Sequence, residues 1–174
     1  MNPCENNPFF SKIMYEEQFC QNDCFGVVAD ADPITAGHYM IYSKIFKPSV
    51  ADCDYLNAAT FIREAFLPKV EVPYAYFERG RASFCTSMQG VKHAHAHLVP
   101  RFADYMEALF PYGTALRHSS MEDAYRNAPK EGEYLIWGNM DGPFYLINHP
   151  EEIPKRAIRN TILQCRLALD VSSF

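Results

Sequence analysis

The chain has 174 residues, 48% of them hydrophobic and 21% charged, a balance that suits a globular domain with a core of its own. Its formal net charge of −5 argues against a general nucleic-acid binder, whose affinity comes from clustered lysine and arginine, while a small anionic ligand stays open. No apolar run approaches the ~18 residues needed to cross a membrane, and Met1-Asn2-Pro3-Cys4 does not read as a signal peptide, so a cytoplasmic location is expected. Six cysteines, at 4, 20, 24, 53, 85 and 165, form no Cys-x-x-Cys pair and read as free thiols.

In chain order, residues 11–15 and 24–30 read as strands. The stretch Asp30-Ala-Asp-Pro-Ile-Thr-Ala-Gly37 is a turn-rich loop, and His38 to Ser43 is a third strand, antiparallel to the second because the loop is too short for a parallel crossover. From Asp54 to Leu67, Leu56, Ala59, Ile62 and Phe66 recur at helical steps, and Pro68 ends the helix. Val72 to Arg79 and Val91 to Val99 are two more strands. A short helix near 104–110 and a polar connection through Pro129 follow. Glu133 to Gly138 and Pro143 to Ile147 then form a hairpin with its turn centred on Asp141-Gly142. Pro154 opens a last helix with an inner face of Ala157, Ile158, Thr161, Ile162, Cys165 and Leu169. The expected class is α+β, with a core over residues 1–110 and an extension over 111–174 packed on it as one structural unit.

The chemistry concentrates in His93-Ala94-His95-Ala96-His97. On a strand these three imidazoles share one face at steps of ~6.6 Å, while Ala94, Ala96 and Leu98 face the other way. Taken alone, the run suits zinc or copper as well as catalysis.

More of the chain bears on the choice. His93-Ala-His-Ala-His-Leu-Val-Pro100 resembles the signature of the histidine-triad superfamily, and Asp30-Ala-Asp-Pro-Ile-Thr-Ala-Gly-His38 resembles its upstream Asp-x-x-Pro-x-x-x-Gly-His segment. Phe77-Glu-Arg-Gly80 is similar to the Phe-Glu-His-Gly of some bacterial-type members, and Gln89-Gly-Val-Lys-His93 to the approach to the triad. The match runs from residue 11 to about 102.

The resemblance implies an antiparallel five-stranded sheet with helices packed on it, here with a C-terminal hairpin-and-helix extension. It implies a nucleotide hydrolase or nucleotidyl transferase acting at the α-phosphate, with His95 as nucleophile, His93 and His97 orienting it and holding phosphate oxygens, and His38 on the leaving-group side. Asp30 would hold the ribose hydroxyls, and Gln89 and Gly90 the phosphates. The partner would be a purine nucleotide or a conjugate such as a dinucleoside polyphosphate or nucleoside phosphoramidate, with no cofactor, no structural metal and a homodimer as one arrangement. Two departures qualify it: Gly90 stands where many members carry a hydroxyl, and Glu78 where the phosphoramidate hydrolases have Asn. They keep open a nucleotide sensor or scaffold with little catalysis, beside the metal site.

Overall fold

The structure, a computed structural model, describes residues 17–81, 93–100, 114–150, 153–154 and 156–171. The strand expected over 11–15, the helix near 104–110, and Gln89 and Gly90 lie outside these residues.

Among the described residues, eight strands form one antiparallel sheet: β1 (Cys20–Gln21), β2 (Phe25–Ala29), β3 (Tyr39–Ser43), β4 (Tyr74–Gly80), β5 (His95–Pro100), β6 (Leu116–His118), β7 (Tyr134–Asn139) and β8 (Phe144–Asn148), in the order β1-β2-β3-β5-β4-β7-β8-β6. This corrects the expected α+β class with a five-stranded sheet, helices packed on it and a C-terminal hairpin-and-helix extension: the described residues are mostly strand, in one sheet. The hairpin β7–β8 joins the same sheet, because the outer edge of β4 carries backbone donors and acceptors that need partners. β7 supplies them from Ala75↔Asn139 to Gly80↔Tyr134. β4 is therefore an interior strand, between β5 and β7.

Helices are few among the described residues: α1 (Tyr55–Phe61), α2 (Met121–Arg126) and α3 (Ala157–Val171). Asp54 caps α1 by accepting the Asn57 N–H. α1 then widens into a π-helical turn over Ile62–Phe66 and tightens into a 3-10 turn over Leu67–Lys69 that contains Pro68. The inner face is Ala58, Ala59, Phe61, Ile62 and Phe66, and Leu56, expected inside, is exposed, because a rotation of ~100° per residue carries it away from Ala58 and Phe61. In the polar connection, Ser120 caps α2 through the Asp123 N–H, and β6 precedes it. The hairpin turn closes from Gly142 N–H to the Asn139 carbonyl, so its central residues are Met140 and Asp141, not Asp141 and Gly142. None of the described helices is long and apolar enough to cross a membrane.

Alternation along each strand builds two cores. On one face Phe25, Val27, Ile41, Tyr76, Ala96, Leu98 and Ile136 pack with α1 and α2. On the other, Ala75, Phe77, Val99, Leu135, Trp137 and Ile147 pack with Ile34 and with Ala157, Ile158 and Ile162 of α3. His95 and His97 sit on this second face, beside α3.

Candidate functional site

β5 places Ala94, Ala96 and Leu98, all fully buried, under the α1 face, which turns His95 and His97 to the opposite side. His93 precedes the strand at a bend. Its ring is buried near Phe46, and its Nε2–H donates to the Ser43 carbonyl. The expectation that three imidazoles share one strand face thus holds for His95 and His97, while the His93 side chain is committed to the end of β3.

What His93 gives its neighbour is a main-chain atom. Its carbonyl lies 2.7 Å from His95 Nδ1. A carbonyl only accepts, so Nδ1 carries the proton and Nε2 the lone pair. Burial, and then the adjacent His97 charge, push the His95 pKa down to about 4, so the ring is neutral near pH 7.

His38 lies at the foot of β3. Gly37, at φ +78°, turns the chain into that strand, and a Cβ there would stand 3.1 Å from Tyr74 Oη and 3.2 Å from Pro100 Cγ. Tyr74 also donates its hydroxyl to the Gly37 carbonyl at 2.8 Å. The Asp30 N–H bonds the His38 carbonyl at 3.0 Å, closing the loop so that its two ends meet. The His38 side chain is completely shielded from solvent. Its Nδ1 accepts the Ile34 N–H at 3.1 Å, so its own proton is on Nε2.

That proton faces His97. His38 Nε2 is 3.0 Å from His97 Nδ1 and 3.4 Å from Asp30 Oδ2, and His97 Nδ1 is 3.2 Å from the same oxygen. With both rings neutral, His38 donates to His97 Nδ1, which puts the His97 proton on Nε2. His97 thereby presents an Nε2–H. Its ring is stacked on Phe77, with centroids 4.7 Å apart, and meets His95 edge-on at 5.5 Å. Burial, followed by the His97 charge, lowers the His38 pKa to about 4, more than the Asp30 carboxylate raises it. Burial alone would raise Asp30, but His97 beside it, the Asp32 N–H that it accepts and His38 bring it to about 2.

Asp30 Oδ2, His38 Nε2 and His97 Nδ1 are also spaced as three ligands around one ion at ~2.0–2.1 Å would be. The His38 hydrogen bond opposes that use. An ion on Nε2 requires the ring proton on Nδ1, where it would point at the Ile34 N–H.

Asp30, expected to meet a ribose, here accepts the Asp32 N–H at 2.8 Å through Oδ1 and faces the two imidazoles through Oδ2. Glu78 is not at this site. It shares the opposite face with Tyr74 and Tyr76, buried, and accepts from the Val50 N–H at 2.8 Å and from the Tyr125 and Tyr134 hydroxyls at 2.6 and 2.7 Å. Glu78 therefore does not face His95 and His97. Arg159 of α3, at the rim beside Asp32, was not singled out in the sequence, because nothing in a helical periodicity marks which exposed arginine reaches a distant loop.

No protein-family model matches this chain, and no curated protein matches it either.

Proposed function

We propose that the chain is a nucleotide hydrolase or nucleotidyl transferase acting at an α-phosphate through a covalent His95-nucleotidyl intermediate, as its resemblance to the histidine-triad superfamily implies. The observation that carries this reading is the opposed tautomers of two neighbours on one strand: His95 offers a lone pair at Nε2, and His97 offers an N–H at Nε2. A nucleophile and a donor for phosphate oxygen are thereby set side by side before any ligand arrives.

In the first step the His95 Nε2 lone pair forms a bond to the α-phosphorus as the bond to the leaving group breaks. The positive charge that develops on the ring is shared, through Nδ1–H, with the His93 carbonyl. His97 Nε2–H stabilises the charge on a phosphate oxygen or hydrogen-bonds the departing atom. Water, or the hydroxyl of a second acceptor in a transferase, then bonds to phosphorus as the bond to Nε2 breaks; the electron pair returns to His95, and the proton of the attacking group passes to solvent or the departed leaving group. The substrate class is a purine nucleotide conjugate, a dinucleoside polyphosphate or a nucleoside phosphoramidate, and the setting is the cytoplasm.

The test is release of nucleoside monophosphate across such a panel, with intact-mass detection of a nucleotidyl adduct after an alkaline quench. Wild type should turn over and carry the adduct, and His95→Ala should lose both while still binding nucleotide. Turnover retained in His95→Ala would sink the proposal. Nucleotide binding by wild type without turnover would favour the sensor instead.

The second reading, a divalent ion held by Asp30, His38 and His97, is favoured by their donor spacing and opposed by the Ile34 N–H. Stoichiometric zinc in purified protein, lost in His38→Ala, would establish it.

A further inference from the structure

Beyond the hairpin the chain returns across the histidine face as α3, and its contacts converge on the groups that set the histidines. Arg159 donates through Nη1 to the Asp32 carbonyl at 2.7 Å and pairs through Nη2 with Asp32 Oδ1 at 2.9 Å. The Asp32 N–H in turn holds Asp30 Oδ1, which leaves Oδ2 turned toward His38 and His97. Ile158 and Ile162 lie in one buried cluster with Ile34, whose N–H fixes His38, and with Phe77, which stacks on His97.

We propose that α3 is an integral part of the histidine site, and that Arg159 is a positioning residue which, through Asp32, fixes the Asp30 carboxylate between His38 and His97. The activity arm of this proposal rests on the nucleotidyl-transfer reading; the structural arm does not.

An ion pair this open to solvent adds little to folding stability, since screening and side-chain entropy offset most of its attraction. Its Asp32 side chain is 73% exposed and Arg159 22%. The effect of removing Arg159 should therefore appear at the histidines and not in the melting temperature. A guanidinium can satisfy a carbonyl and a carboxylate together, whereas a lysine ammonium at this reach holds one of them.

The experiment compares wild type, Arg159→Ala, Arg159→Lys, Asp30→Asn and the Arg159→Ala/Asp30→Asn double variant. Imidazole ring signals are read by long-range ¹H–¹⁵N correlation at one pH, and nucleoside monophosphate release is followed in parallel. Arg159→Ala should shift the His38 and His97 ring signals and lower kcat roughly tenfold with KM little changed, the scale expected for misplaced catalytic groups. Arg159→Lys should recover part of both. In the Asp30→Asn background, Arg159→Ala should add almost nothing.

Unmoved ring signals with wild-type kcat in Arg159→Ala, or losses that add in full in the double variant, would overturn the proposal. If wild type has no turnover, the functional reading fails by itself and the ring-signal cycle still decides the role of Arg159. Arg159→Gln, which keeps an amide donor, carries the same two outcomes should the alanine variant not fold.

Discussion

His38 Nε2 and His97 Nδ1 lie 3.0 Å apart, 59 residues distant in the chain, and the proton between them belongs to His38 because the Ile34 amide occupies its other nitrogen. One backbone N–H therefore sets the tautomer of two imidazoles in series, and a backbone carbonyl, that of His93, sets the third in the opposite sense. The site is organised by main-chain groups, which cannot titrate.

Replacing His38 breaks the series. His38→Ala should release His97 to take its proton on either nitrogen, and turnover should fall by about 10²-fold, the lower end of what a positioned acid–base partner contributes. His38→Gln, with an amide that can still donate to His97, should lose less. Imidazole ¹⁵N shifts of His97 check the tautomer directly. Unchanged shifts in His38→Ala would contradict the assignment.

In the proposed nucleotidyl transfer, the acid limb of the rate should follow His95. With its pKa near 4, the lone pair is present throughout the neutral range, and the rate should fall tenfold per pH unit below about 4. The same burial affects stability. For His38 and His95 the folded pKa is depressed from about 6.5 to about 4, so the folded state binds fewer protons than the unfolded chain. The stability they support is present above 6.5 and is lost as pH falls through 4. A pH series of urea melts, compared with the same series for His95→Gln, should show the slope between 6.5 and 4 reduced in the variant.

Glu78 runs the other way. Burial pushes it up to about 7, more than its hydrogen bonds from Tyr125, Tyr134 and the Val50 amide pull it down. Its folded pKa is above the unfolded value, so its contribution is fully present below about 4.5 and is lost as pH rises through 7. Glu78→Gln should match wild type near pH 5 and exceed it at pH 8 by an amount on the order of 2–3 kcal/mol, read from denaturation midpoints. Because Glu78 lies on the face away from the histidines, turnover at pH 7 should change little.

Gly37 has a positive φ and close neighbours on Tyr74 and Pro100. Gly37→Ala should destabilise by about 1–3 kcal/mol. Since His38 is the next residue, the variant should also lower activity after the loss of fold is accounted for. A thermal melt paired with kcat at a temperature below both transitions separates the two effects. Equal losses in Gly37→Ala and in an unrelated variant of matched stability would remove the link to His38.

The strands were legible because their patterns are local. Alternation around His93 to His97 predicted that Ala94, Ala96 and Leu98 face a packed core, and they do. Turn residues between Asp30 and Gly37 predicted an antiparallel return, which the β2–β3 pairing has from Ala29↔Tyr39 to Phe25↔Ser43. The two-residue strand β1 and the three-residue β6 left no comparable mark, since a pattern of period two cannot be read over so few positions. The Ser120-x-x-Asp123 spacing at the start of α2 is a local capping signal inside an otherwise polar stretch.

What the sequence determined by itself was which way β5 turns His95 and His97, because side-chain alternation follows from backbone geometry alone. Only the tertiary structure decided what each imidazole does. His93 spends its ring on Ser43, His95 takes its tautomer from a carbonyl two residues back, and His97 takes its own from His38 on another strand. The same holds for the sheet. That β7 would pair with β4 and bring α3, with Arg159, against the Asp30 loop is a choice among edges that local pattern does not distinguish, made by the need of every buried N–H and carbonyl for a partner.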